Sequence, residues 1–114
     1  MHTVDLDMLP EPITRYLAAH RTRDTITSLD CFTPDATVAD DGKTYSGTDA
    51  IERWMKQSAT EYTYTIEPIG ACRTDGQDYT VTQRLKGDFP GGVVDLRFRF
   101  ALRDGLVERL HIEP

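Results

Sequence analysis

The sequence predicts an α+β domain in which three N-terminal helices pack on a cone-shaped, curved antiparallel sheet. Three observations predict it. Before residue 60 apolar residues recur at three- and four-residue spacing, and after it strict alternation takes over. Between the second and third helices, an Asp-Gly pair joins two short β-prone runs. Helices gathered in one half and strands in the other indicate segregated layers rather than alternating βαβ units.

Residues 1–11, with Pro10, read as a loose lead-in to a single domain covering 1–114. Pro12 suits the first turn of a helix, where a missing N–H costs nothing. Ile13, Tyr16, Leu17 and His20 then mark one helical face to about residue 22. A second helix is expected over "DTITSLDCF", capped by Asp24, with Ile26, Leu29 and Phe32 apolar and Pro34 closing it. "ATVADDGKTYSG" is a hairpin turning at Asp41-Gly42. "GTDAIERWMKQS" gives a third helix with Thr48 as its cap and Ile51, Trp54 and Met55 on one side. Four alternating strands follow, separated by "RTDGQD", "PGG" and "RDG".

Bulk properties exclude several functions. A net charge of −6 disfavours nucleic acid and anionic membrane surfaces, both of which need a basic surplus. No apolar run approaches membrane-spanning length. "MHTVDLDMLPEP" lacks the basic start and apolar block of a secretion signal, so a cytoplasmic location is expected. Cys31 and Cys72 read as reduced, apolar thiols. No pair of histidines has metal-ligand spacing, and no cofactor is implied.

The informative stretch is "PDATVADDG". Ala36, Val38 and Asp40 alternate, so a strand here aims a carboxylate the same way as a valine. A fully desolvated carboxylate without a partner costs several kcal/mol, so Asp40 must be hydrated, paired or protonated. Helices lying across a strongly curved sheet leave a hollow, and Asp40 would open into it. Asp41 is better placed to serve the turn. In mid-strand, Gln83 lies between Val81 and Leu85 and reads as a pocket-facing amide. Glu108, between Leu106 and Leu110, either lines the hollow or is exposed beside the turn. His20 lies one turn beyond Tyr16 at the expected mouth, whereas His111 alternates outwards. Trp54, Tyr62 and Tyr64 read as apolar walls. Arg97, Arg99, Arg84 and Lys86 form a basic stripe on the outer sheet face.

The blocks "FTPDATVAD" and "YSGTDAI", with "GDFPGGVVDLRFRFALRDGLVERLHI" later, resemble the nuclear transport factor 2-like superfamily in its SnoaL-like and ketosteroid-isomerase-like branch. The resemblance covers almost the whole chain. It implies a homodimer formed through the outer sheet face and a pocket for a small apolar molecule. Ketosteroid isomerases use a strand aspartate, a tyrosine of the first helix and a neutral carboxylic acid. Asp40 matches the proton-shuttling aspartate and Tyr16 matches the tyrosine. The acid's place is taken by Phe98. The implied function is an isomerase or polyketide-cyclase type enzyme, with Asp40 as general base beside a carbonyl and Tyr16 as oxyanion donor. Ligand contacts are expected from Gln83, Phe98, Trp54, Val38, Leu110, Glu108 and His20. The alternative is a non-catalytic small-molecule-binding module.

Overall fold

The computed structural model describes residues 2–61 and 63–114, apart from the side chains at 59 and 61. Pro12 occupies the second position of α1 (Glu11–Arg21), and Ile13, Tyr16 and Leu17 are buried as their spacing requires. The chain turns through Arg23, whose left-handed φ of 57° lets the Asp24 amide bond back to the Ala19 carbonyl at 2.9 Å. Asp24 then caps α2 (Thr25–Asp30), accepting from the Thr27 amide at 3.1 Å and its hydroxyl at 2.7 Å.

The second helix is shorter than its apolar residues suggest. Phe32 already opens β2 (Phe32–Asp40), and Pro34 lies inside that strand instead of closing a helix. The register of β2 skips between Phe32 and Thr37, which removes the ladder bond that a proline cannot donate. Ile26, expected on a buried face, is 76% exposed. After β2, Asp41 and Gly42 both take left-handed φ, at 53° and 75°. That pair of angles matches the right-handed twist of the flanking strands and folds β3 (Lys43–Ser46) back onto β2. In α3 (Thr48–Glu61), Thr48 is the first helical residue and not the cap; Ile51, Trp54 and Met55 are buried.

The remaining chain is an antiparallel meander of β4 (Tyr64–Asp75), β5 (Asp78–Gly87), β6 (Val93–Arg103) and β7 (Leu106–Glu113). With β1 (His2–Thr3), the sheet runs β1-β4-β5-β6-β7-β2-β3. Two corrections follow. The sheet is mixed, not purely antiparallel, because β2 runs parallel to β7. The expected loose lead-in also contains ordered pairing: His2 and Thr3 pair with Arg73 and Cys72, and Leu9 is buried. Among the described residues, no helix is long and apolar enough to cross a membrane.

Alternation places Val81 and Gln83 of β5, and Phe98 and Phe100 of β6, on the inward face. They meet Tyr16, Val38, Ile51 and Leu110 in one buried interior. In β7 the alternation breaks. A register shift between Ala101 and Leu102 buries Val107 beside Leu110, a spacing of three. Glu108 is thereby turned to Arg103, whose guanidinium lies 3.4 Å away. The expectation that Glu108 touches ligand is corrected on this ground.

Candidate functional site

Asp40 is the last residue of β2, beside Ile112 in β7 and Lys43 in β3. Ala36 and Val38 on the same face are fully buried, while Asp40 is half-buried at the strand's end. The carboxylate's cost of burial is offset by a defined partner: the Trp54 indole N–H donates to its Oδ2 at 3.0 Å. The residues 40 and 54 are brought together by the hairpin and α3, and the contact makes Trp54 more than an apolar wall. A cavity of about 340 Å³ opens here, lined by Asp40, Ser58, Tyr64, Leu85, Phe89 and Val94.

Tyr16 lies deeper, at 1% exposure. Its ring stacks on His20 with centroids 5.4 Å apart and meets the edges of Phe32 and Phe100 at 5.6 and 5.7 Å. Burial pushes the phenol's pKa above its ordinary range, and charge on Tyr64 and Asp40 pushes in the same direction. Tyr16 is therefore a fixed, protonated hydroxyl. A second recess of only about 30 Å³ joins Tyr16, His20, Arg23, Trp54, Met55 and Tyr64. Ser58 and Tyr64 line both spaces and stand between them. Arg23 holds that partition: its guanidinium donates to the Tyr64 carbonyl at 2.7 Å and lies 4.6 Å from the Tyr64 ring centre.

His20 is half-buried, with an Nδ1 that has no hydrogen-bond partner among the described residues. Burial lowers its pKa to about 4, helped by the positive charge of Arg23, so the imidazole is neutral near neutrality. Gln83 is fully buried, and neither its Oε1 nor its Nε2 has a partner among the described residues.

The other expected ligand contacts divide by depth. Val38, Phe98 and Leu110 are packed in the core at 0%, 1% and 0% exposure, so they support the site from behind. Tyr62 lies outside the described residues. His111 is on the outer face, as alternation requires, in a hollow of about 430 Å³ with Thr80, Arg99 and Arg109. The outer arginines carry cross-strand acids: Arg84 makes a two-pronged bond to Asp95 at 2.9 and 3.1 Å, and Arg97 and Arg99 approach Glu113. A groove of about 480 Å³ between the lead-in and α1 exceeds the recess in size. It contains neither Asp40 nor Trp54. Among the described residues, no group of His, Cys, Asp and Glu could hold a metal ion. Sequence reading missed Arg23, Ser58 and Phe89, which reach the mouth from a helix turn, a helix end and a strand turn. None carries a local pattern that would have found it.

A curved mixed sheet covered by three helices defines a domain of the nuclear transport factor 2-like class. Within that class the chain belongs to the SnoaL-like domain family, which matches residues 13–110. A solved structure of a candidate polyketide cyclase from Sinorhizobium meliloti is 33% identical with a TM-score of 0.89, covering 96% of this chain and 100% of that one. A protein with a ketosteroid isomerase-like fold from Catenulispora acidiphila, solved with trimethylamine, is 19% identical with a TM-score of 0.81, covering 94% and 87%. The epoxide hydrolase/cyclase-like enzyme SalBIII of salinomycin pyran-ring formation is 21% identical with a TM-score of 0.76, covering 90% and 86%. Those last two likenesses concern the fold. No curated protein matches the chain.

Proposed function

We propose that the protein binds a small, largely apolar carbonyl compound in the Asp40 recess and acts on it as an isomerase- or cyclase-type enzyme. The observation that carries this reading is Asp40, held by the Trp54 indole at 3.0 Å, on the wall of a cavity of about 340 Å³. The indole holds the carboxylate in one orientation at the edge of the recess, an arrangement suited to a positioned base. Asp40 would remove a proton from carbon beside the carbonyl. Tyr16, kept protonated by burial, lines the adjoining recess and would donate to the oxygen on which negative charge develops once the ligand displaces the Tyr64 ring. The similarity to the candidate polyketide cyclase supports a substrate with closely spaced carbonyls, whose protons are acidic enough to need a single oxyanion donor.

Phe98 favours a second reading. At the place where an isomerase carries a neutral acid, this apolar ring makes the site a better receptor than catalyst, so a binding module uses the same recess. The β6 arginines pair with Glu113 on the outer face and give no support to an Asp–Arg–Asp relay for epoxide opening. The experiment that separates the first two readings is hydrogen–deuterium exchange at the activated carbon of a neutral 1,3-dicarbonyl probe, followed by NMR. The wild type is expected to accelerate exchange, and Asp40→Asn to lose roughly 10²–10⁴-fold of that rate while folding normally. Equal rates in the two proteins would leave only the binding module.

A further inference from the structure

Gln83, fully buried, and His20, half-buried, each carry buried polar atoms without partners among the described residues, and neither is used by the proton transfer above. Gln83 has no exposed surface, yet its Oε1 and Nε2 are both unbonded among the described residues. His20 presents a buried Nδ1 in the same condition. They border one residue. The His20 ring lies 5.6 Å from Phe98, and Phe98 pairs with Val81, two residues before Gln83 on the same inward face. In an antiparallel pair this makes Gln83 the diagonal neighbour of Phe98. Leu85, next along that face, already lines the Asp40 cavity, and His20 lines the small recess. The two spaces share Ser58 and Tyr64, so a ligand displacing the Tyr64 ring would run from Asp40 to His20, and Gln83 adjoins that path through Leu85 on its own strand face and through Phe98.

Buried unpaired amide atoms destabilise a fold, and an apolar residue of similar size would avoid the loss. Their chemistry specifies what relieves it. The Gln83 amide offers one acceptor and two donor hydrogens. A neutral imidazole offers one donor and one acceptor, and the lowered His20 pKa keeps it neutral. A ligand group that both donates and accepts satisfies this set. A carboxylate, acceptor only, leaves Oε1 unpaired, and Arg23, the cation beside the recess, is already engaged with the Tyr64 carbonyl and ring.

We propose that Gln83 and His20 form a specificity subsite for a neutral hydroxyl, enol or phenol on the substrate, placed across the Tyr64 partition from Asp40. This rests on the carbonyl-substrate reading and narrows it to neutral hydroxy-carbonyl compounds whose hydroxyl end enters first. Gln83 here is a specificity-determining residue and not a catalytic one.

Phenol, toluene and benzoate, matched in ring size, provide the test, with side-chain amide and indole signals followed by ¹⁵N NMR titration. Phenol is expected to shift the Gln83 amide signals and to bind about tenfold more tightly than toluene, the worth of one or two buried hydrogen bonds. Benzoate is expected to leave the Gln83 signals unmoved. Gln83→Leu should remove the preference for phenol and raise the melting temperature of the empty protein. Equal affinity for phenol and toluene in the wild type, or a Gln83→Leu protein that melts lower, overturns the subsite. Asp40→Asn should keep the phenol preference, so loss of exchange activity and loss of the subsite are read separately.

Discussion

At the residue scale, the site depends on neutral groups held in place by burial. His20 is the clearest case because its charge state affects stability in a defined pH window. Its folded pKa, about 4, lies below the ordinary 6.5. Between those values the unfolded chain binds a proton that the native state does not, so stability falls as the pH drops from about 6.5 towards 4. The full shift corresponds to at most roughly 3 kcal/mol. The groups facing the ring are Tyr16, which is neutral, and Arg23, whose charge opposes protonation. Asp24, Asp35 and Asp95 shift in the opposite direction. Hydrogen bonds from Thr27, Arg103 and Arg84 hold these carboxyls below their usual range. Their contributions are therefore complete above about pH 4 and fade only in stronger acid. Urea unfolding at pH 7, 5.5 and 4.5 is expected to show a progressive loss in the wild type. His20→Phe should be nearly flat across the same range, and a parallel decline in that variant would assign the loss elsewhere.

At the element scale, the β4–β5 ladder sets the partition between the two spaces. Tyr64 pairs with Gly87, and the Asp88 amide bonds to the Thr63 carbonyl at 3.1 Å while the Asp88 carboxylate accepts from the Thr63 amide at 3.0 Å. A Cβ at position 87 would collide with the Thr63 carbonyl oxygen and with Cα and Cβ of Tyr64. These are backbone and Cβ atoms that cannot swing aside. Gly87→Ala is thus expected to destabilise by about 1–3 kcal/mol, the range of steric overpacking, and to displace Tyr64. Gly42, at a turn with open space around it, carries no such clash, only the requirement for positive φ. Thermal unfolding with the Tyr64 ring signals as a second readout checks the difference. An unchanged Tyr64 environment in Gly87→Ala would refute this account of the partition.

For the whole molecule, the outer sheet face carries paired charge from three neighbouring strands. Arg84–Asp95 and the Arg97–Glu113–Arg99 cluster are cross-strand pairs, and the hollow beside them holds Thr80, Arg99, Arg109 and His111. We propose that two copies meet here, and sedimentation equilibrium checks it. A dimer is expected that weakens on Arg99→Glu, because the change sets a second carboxylate beside Glu113 in each copy. A monomer at all concentrations, or a dimer indifferent to this charge reversal, would remove the proposal.

The sequence by itself determined the α+β class, the three helices, the four-strand meander and the inward aim of Asp40, because each follows from a period of 3.6 or 2.0 and from local turn chemistry. Asp24 and the Asp41-Gly42 turn were legible for the same reason: caps and tight turns are satisfied within a few residues. Gln83 was legible as inward, but the absence of partners around it was not. Only the tertiary structure decided that Trp54 donates to Asp40, that Arg23 props Tyr64, that β2 runs parallel to β7, and that Glu108 turns to Arg103. Those contacts join residues distant in the chain or depend on a one-residue register shift, and periodicity holds no information about either.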